Sequence, residues 1–208
     1  MSGKTTSWQY AEQYPTEPEA LRRAREAAAN WGISPVSPAL ANQLSVLAAA
    51  SAARSIAEVG TGTGVSGLAL LRGAPGATLT TIESEADYWQ AAKKAFRQAG
   101  HPAHQTRAIL GDALDVLHRL ADGAYDLAFI DADAERVAEY VAQGLRIVRP
   151  GGLILVAHAL CGDTVGDPVV RTPSTLAYRE LLDELRERDT VLSSVVTLAD
   201  GLLTLVHP

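Results

Sequence analysis

The stretch Ser55–Ser66, S-I-A-E-V-G-T-G-T-G-V-S, constrains this chain more than any other. Ile56 and Val59 are β-branched and predict a strand. Gly60, Gly62 and Gly64 follow at alternate positions, and Val65–Leu71 reads as the start of a helix. An α/β sheet uses this order of strand, glycine turn and helix to present backbone N–H groups to a nucleotide-like ligand. Glycine admits positive φ and lets a ligand approach the backbone with no Cβ in the way. Glu58 stands just before the turn. A carboxylate there repels a pyrophosphate and attracts a cation.

Strands and helices alternate on either side of this unit. Two helices precede it, one capped by Thr16 and running to about Asn30, the other opened by Ser37-Pro38. Further strands are predicted over residues 77–82, 106–110, 125–130 and 153–157, with helices over 85–99, 113–120, 134–148 and 174–188. Residues 190–206 read as a hairpin turning on Asp200-Gly201. Such alternation predicts a mostly parallel sheet with helices on both faces and an antiparallel C-terminal hairpin. No linker divides the 208 residues, so a single domain, 1–208, is expected. Residues 1–15 are polar with scattered aromatics, Trp8, Tyr10 and Tyr14, and read as a frayed tail or as a flap over an acceptor site.

The totals narrow the function. Lys+Arg 18 against Asp+Glu 24 gives a net charge of −6, which disfavours nucleic acid as a partner. No apolar run approaches the roughly 18 residues of a membrane span, and Met1–Tyr10 is not signal-like. A cytoplasmic protein is the expectation. Cys161, the single cysteine, excludes an internal disulfide. It reads as a structural thiol, because no paired base is evident.

The acids carry the most information. Glu58, Glu83, Asp112 and Asp131 each fall at the C-terminal end of a predicted strand. In a parallel sheet those ends share the edge where ligands bind. Four carboxylates there would form a negative pocket, suited to a ligand with a fixed positive charge and hydroxyl donors. The plainer reading is that Asp and Glu often cap the helices that follow strands. A dinucleotide reading also exists, since Gly62-x-Gly64-x-x-Gly67 satisfies G-x-G-x-x-G and Glu83 lies a suitable distance on. It is disfavoured by Gly60-Thr61, which separate that pattern from the strand, and by Glu58, which would face a pyrophosphate.

The segments A-E-V-G-T-G-T-G-V-S, T-T-I-E, G-D-A-L-D-V-L, Y-D-L-A-F-I-D-A-D and R-P-G-G-L-I-L-V, in this order, resemble the S-adenosylmethionine-dependent O-methyltransferases of the catechol and caffeoyl-CoA type. The resemblance covers roughly residues 35 to 162. It implies a Rossmann-like class I methyltransferase fold with a seven-stranded sheet. It implies a small-molecule acceptor, such as a hydroxylated aromatic, and a homodimer. It places Glu58, Gly60, Gly62, Gly64, Ser66, Glu83, Asp112, Ala113 and Asp131 at the S-adenosylmethionine site. Glu83 would take the ribose hydroxyls, since a carboxylate accepts two O–H donors at once. Ser66 would meet the methionine carboxylate, Asp112 the adenine amino group, and Asp131 would lie near the methyl group.

One part of the resemblance fails. The family holds a divalent cation with the aspartate after the fourth strand and an Asp-Asn pair after the fifth; here that pair is replaced by Ala157-His158, and the lysine after D-A-D is Ala134. Alanine cannot ligate, and Asp131 with Asp133 offers a magnesium-type ion too few oxygens. A softer metal on Asp131 and His158 would have two protein ligands only. The expectation is therefore no metal residue set. Catalysis would fall to His158 as general base, its unperturbed pKa being about 6.5, with Asp131 or Asp133 orienting the ring. The plainer reading makes His158 a polar residue at a strand end. The 162–173 loop would shape the acceptor pocket; that its Asp163 and Asp167 restore a metal ligand is the disfavoured reading.

Overall fold

The structure is a computed structural model that describes residues 3–208. Three helices come first: α1 (Gly3–Gln13), α2 (Glu19–Asn30) and α3 (Pro38–Ala50). Then follow β1 (Ser55–Val59), α4 (Val65–Gly73), β2 (Thr78–Glu83), α5 (Ala86–Gln98), β3 (Thr106–Leu110), α6 (Ala113–Leu117) and β4 (Tyr125–Ile130). A 3-10 turn over Ala134–Arg136 leads into α7 (Val137–Ile147). The chain ends with β5 (Val148–Val156), α8 (Pro173–Glu187), β6 (Leu192–Val196) and β7 (Leu202–Val206).

The seven strands form one sheet in the order β3-β2-β1-β4-β5-β7-β6. The first five are parallel; β7 runs antiparallel to both β5 and β6. The order reverses between β1 and β4, and at such a switch point the loops after the two strands diverge and leave a crevice. Strand periodicity divides the core. Ile56, Leu127, Phe129 and Leu155 face the layer holding Leu44, Leu70 and Phe96. Ala57, Ala128, Ile130, Ile154 and Val156 face the layer holding Leu117, Tyr140, Ile147 and Tyr178. β4 is buried along nearly its whole length, as an apolar strand covered on both faces must be.

Three expectations change. Residues 3–13 of the segment read as a tail or flap are helical, with Trp8, Tyr10 and Tyr14 exposed and none of the three lining the sheet-edge cleft; residues 1 and 2 lie outside the described residues. The second helix starts at Glu19 with Pro18 as its N-cap, so Thr16 does not cap it. The hairpin does not turn on two residues: β6 and β7 pair from Val196 and Leu202 outward, and residues 197–201 form the loop.

Candidate active site

The Gly60 turn is locked to the neighbouring strands by backbone bonds. Gly60 N–H donates to the Ile82 carbonyl at 3.0 Å, and Asp131 N–H donates to the Val59 carbonyl at 2.8 Å. Gly60 has φ +87°, and a Cβ there would lie 1.8 Å from the Asp131 carbonyl oxygen. No other residue fits this position without moving the end of β4. The glycine thus fixes the distance between the first turn and Asp131.

Beside it lies a cleft of about 500 Å³ at the carboxyl edge of the sheet. Gly60, Gly62, Ser66, Glu83, Asp112, Ala113, Asp131 and Asp133 all line it, as their places at strand ends imply. A larger groove, about 1020 Å³, lies between α2 and α5 on the outer helical face and includes none of the strand-end acids. The sheet-edge cleft is therefore the better candidate for chemistry.

Glu83 is buried at the β2 end, and both its oxygens are oriented by backbone donors. Gly62 N–H reaches Oε2 at 2.8 Å and Glu85 N–H reaches Oε1 at 3.0 Å. Each oxygen keeps acceptor capacity for a ligand hydroxyl. Asp112 caps α6, its Oδ1 accepting from Leu114 and Asp115 N–H, and its Oδ2 pairs with Arg136 at 2.8 Å. The Arg136 guanidinium holds its carboxyl below the usual range. Asp133 caps the 3-10 turn by accepting from Glu135 N–H at 3.1 Å. Both aspartates thus serve as helix caps while facing the cleft.

Two residues expected at the ligand, Glu58 and Gly64, do not line this cleft. Glu58 shares the strand side of Ile56, so its side chain points under the turn rather than out of the strand end. It is fully buried and absent from the cleft wall. Thr81 Oγ1 donates to its Oε2 at 2.6 Å, whereas Oε1 has no hydrogen-bond partner among the described residues. Burial pushes its carboxyl up to about 7, partly offset by the Thr81 and Ser66 hydroxyls. Gly64 is the left-handed N-cap of α4 and packs down against Phe96, away from the cleft.

His158 stands between two carboxylates. Its Nε2 lies 3.3 Å from Asp131 Oδ1 and its Nδ1 3.0 Å from Asp200 Oδ2. The Asp131 carboxylate does most to raise its pKa; burial opposes, Asp200 adds, and the net is a rise to about 9. That rise favours the imidazolium at neutral pH over the free base expected from its ordinary pKa. It is half exposed and stands beside Asp131 at the edge of the cleft, outside the cleft wall itself.

Sequence reasoning missed Asp200, Arg136, Tyr140 and the Ile33–Val36 loop, which closes one side of the cleft. Asp200 carried only a turn signal. Arg136 was legible as the one cation close after D-A-D. The Ile33–Val36 loop has no motif of its own.

A doubly wound sheet with a carboxylate-rimmed cleft at its switch point defines the class: a Rossmann-like methyltransferase fold. The O-methyltransferase family model matches residues 11–207, and the chain belongs to that family. It is 43% identical over 201 residues to the probable O-methyltransferase Rv1220c of Mycobacterium tuberculosis, covering 96% of this chain and 90% of that one. Among solved structures it is similar to the O-methyltransferase TomG from Streptomyces achromogenes in complex with SAM, with a TM-score of 0.88 and 28% identity over 100% of this chain and 99% of that one. It is also similar to cofactor-bound Rv0187 from MTB, with a TM-score of 0.83 and 29% identity over 92% and 90% of the two chains.

Proposed function

We propose that this protein transfers the methyl group of S-adenosylmethionine to a hydroxyl of a small-molecule acceptor, a hydroxylated aromatic being the first class to test. Glu83 carries the proposal. It is a buried carboxylate already oriented by Gly62 and Glu85 N–H, with acceptor capacity left at the cleft wall. Such a group selects a paired-hydroxyl sugar and disfavours a phosphate. TomG, with SAM bound, shares the fold over the whole chain.

Bound there, S-adenosylmethionine would supply a methyl group on a cationic sulfur. The protein's part is placement. Glu83 grips the ribose hydroxyls, Asp112 and Ala113 border the base, and Ser66 meets the carboxylate end. Asp131 faces the sulfonium with a negative charge. Holding donor and acceptor in line supplies much of the acceleration of a displacement.

A divalent cation of the kind the family resemblance implies does not fit this chain. Ala157 has no donor atom and is fully buried, and both ring nitrogens of His158 are engaged by carboxylates. No step is routed through a metal. A homodimer belongs to the same reading; β6 leaves Leu192, Val195 and Val196 exposed along an unpaired sheet edge, which supports it.

Calorimetry tests the core of the proposal. S-adenosylmethionine should bind one per chain, with the same affinity in chelator and in added magnesium. Preference for a phosphate-bearing dinucleotide over S-adenosylmethionine would overturn the reading.

A further inference from the structure

Two tight turns from distant parts of the chain are clipped together beside Asp131. One follows β5, residues 158–162; the other joins β6 to β7, residues 199–201. Ala159 N–H donates to the Gly201 carbonyl at 3.1 Å and Leu160 N–H to the Asp200 carbonyl at 3.0 Å. Asp200 closes the clip with its side chain: Oδ1 accepts from Gly162 N–H at 2.6 Å, and Oδ2 pairs with His158 Nδ1 at 3.0 Å. Gly201 has φ +87°, and a Cβ there would lie 2.7 Å from the Leu160 backbone nitrogen. Tyr178, on α8, braces the same strand end by donating to the Ala157 carbonyl at 3.0 Å.

Backbone strain gathers at this clip. Among the described residues, five non-glycine residues have positive φ: Ala52, His158, Cys161, Asp163 and Ala199. All but Ala52 belong to the two turns or adjoin them. Left-handed conformations cost about 1–2 kcal/mol each for such residues, and they persist where the surroundings over-determine them, which is characteristic of functional sites. His158 itself is one of them, at φ +58°. With the backbone so held and Nδ1 tied to Asp200, Nε2 stands 3.3 Å from Asp131 Oδ1.

Carboxylates on both sides of an imidazole leave it one satisfactory state. A carboxylate accepts only, so Asp200 calls for a hydrogen on Nδ1, and the Asp131 carboxylate 3.3 Å from Nε2 disfavours a bare lone pair there; the two negative groups together favour the cation. We propose that Asp200 is a positioning residue for methyl transfer: it holds His158 as a fixed imidazolium beside Asp131, where the ring pairs with the ionised oxygen of the acceptor. The inference rests on the O-methyl-transfer reading and deepens it. The charge that a divalent cation would bring to an acceptor oxygen comes here from a side chain. The acceptor enters as its oxyanion, having left its proton with solvent. The oxygen lone pair forms the new C–O bond while the C–S bond breaks with its pair going to sulfur. The sulfonium becomes a neutral thioether and the acceptor a neutral ether. The imidazolium is unchanged, so His158 moves no proton. Its Nε2–H is shared between Asp131 and the incoming oxygen, in keeping with the long 3.3 Å contact to Asp131.

The test is 15N NMR of the histidine-labelled full chain with S-adenosylhomocysteine at pH 7.5 in chelator, followed by titration with 4-nitrocatechol, whose oxyanion is coloured. Wild type should show both His158 nitrogens protonated, and the probe should move Nε2 but not Nδ1. Asp200→Ala should lose the Nδ1–H signature and bind the oxyanion at least tenfold more weakly. Asp200→Asn has one acceptor left for two donors, Gly162 N–H and His158 Nδ1–H, so it should recover only part of the ring orientation and part of that loss, and it serves as well if Asp200→Ala fails to fold. S-adenosylhomocysteine affinity should stay within about twofold in both variants. A wild-type His158 with one bare nitrogen, a ring unaffected by Asp200→Ala, or no oxyanion binding by wild type would each overturn the inference. Failure of wild type to bind S-adenosylhomocysteine would instead sink the reading of function beneath it.

Discussion

At the β1–β2 end of the rim, the residues that line the cleft come from one short run of chain, Gly60 to Glu83. At the β4–β5 end the groups are side chains from residues 131, 158 and 200, drawn from three separate segments. The first end is a local motif: glycine conformations and one carboxylate define it whatever the rest of the chain does. The second is an assembly that exists only once β5, α8 and the terminal hairpin have packed. A cofactor common to many enzymes suits the first kind of site. The second kind depends on a few single side chains, so replacing one or two of them changes what it can do.

The strongest way to break this division is at Gly60, where the two ends touch. Gly60→Ala places a Cβ 1.8 Å from the Asp131 carbonyl at a φ of +87°. It should cost on the order of 3–5 kcal/mol of stability, read by urea denaturation, and abolish S-adenosylmethionine binding. Gly62→Ala, with φ +51° and nothing within 4 Å of its Cβ, should cost only about 1–2 kcal/mol. Equal losses in the two variants would show that conformation alone matters and that Gly60 does not space the two ends.

The ends also differ in how pH acts on them. Glu58, under the first, rises from 4.5 to about 7 in the folded protein. A raised carboxyl favours the protonated form, so its contribution is full below pH 4.5 and is lost as pH rises through 7. At 1.36 kcal/mol per unit that is on the order of 3 kcal/mol. His158, at the second, rises from 6.5 to about 9. Its contribution is full below pH 6.5 and is lost as pH rises through 9. Half exposure brings it to about 1 kcal/mol. Unfolding free energies measured from pH 4.5 to 9.5 should therefore lose their lower slope in Glu58→Gln and their upper slope in His158→Gln. A slope that survives its own substitution refutes that assignment.

Glu83→Gln tests whether the first end reads sugar. The amide would set an NH₂ against one of the two backbone donors, Gly62 or Glu85 N–H. A charge-assisted bond lost there is worth about 1.5–3 kcal/mol, so S-adenosylmethionine should bind about 10–100-fold more weakly by calorimetry. An unchanged affinity would detach the ribose from Glu83.

This division also explains what the sequence disclosed. The turn from Gly60 to Ser66 and the acids at strand ends were legible because local rules place them: a strand must end in a turn, and parallel strands share one edge. Glu58 misled because strand alternation, not proximity to the turn, decides which way it points, and it points under α4. The charge of His158 could not be read because it depends first on Asp131 and then on Asp200, both brought to it by the fold, and Asp200 lies 42 residues away on another element. The helix over Gly3–Gln13 was missed because it lacks an apolar stripe. It is tied to the far end of the chain, where Glu12 Oε1 accepts from Ala199 N–H at 2.9 Å.

The smallest effect asks whether the two ends communicate at all. Arg136 lies between them: its guanidinium pairs with Asp112 at the end of β3 and sits 5.7 Å from the Tyr140 ring. Both side chains of the pair are more than a third exposed, and exposed pairs are worth about 0–1 kcal/mol. Arg136→Met keeps the stem over Tyr140 and removes the charge. Asp112 still caps α6 through Leu114 and Asp115 N–H, so the fold should hold, with melting unchanged within about 2 °C. S-adenosylmethionine affinity should change less than about threefold if Arg136 is only a surface partner of Asp112. A change of tenfold or more would mean that the guanidinium joins the two ends through the cleft, and that the cofactor end is less self-contained than its sequence implies.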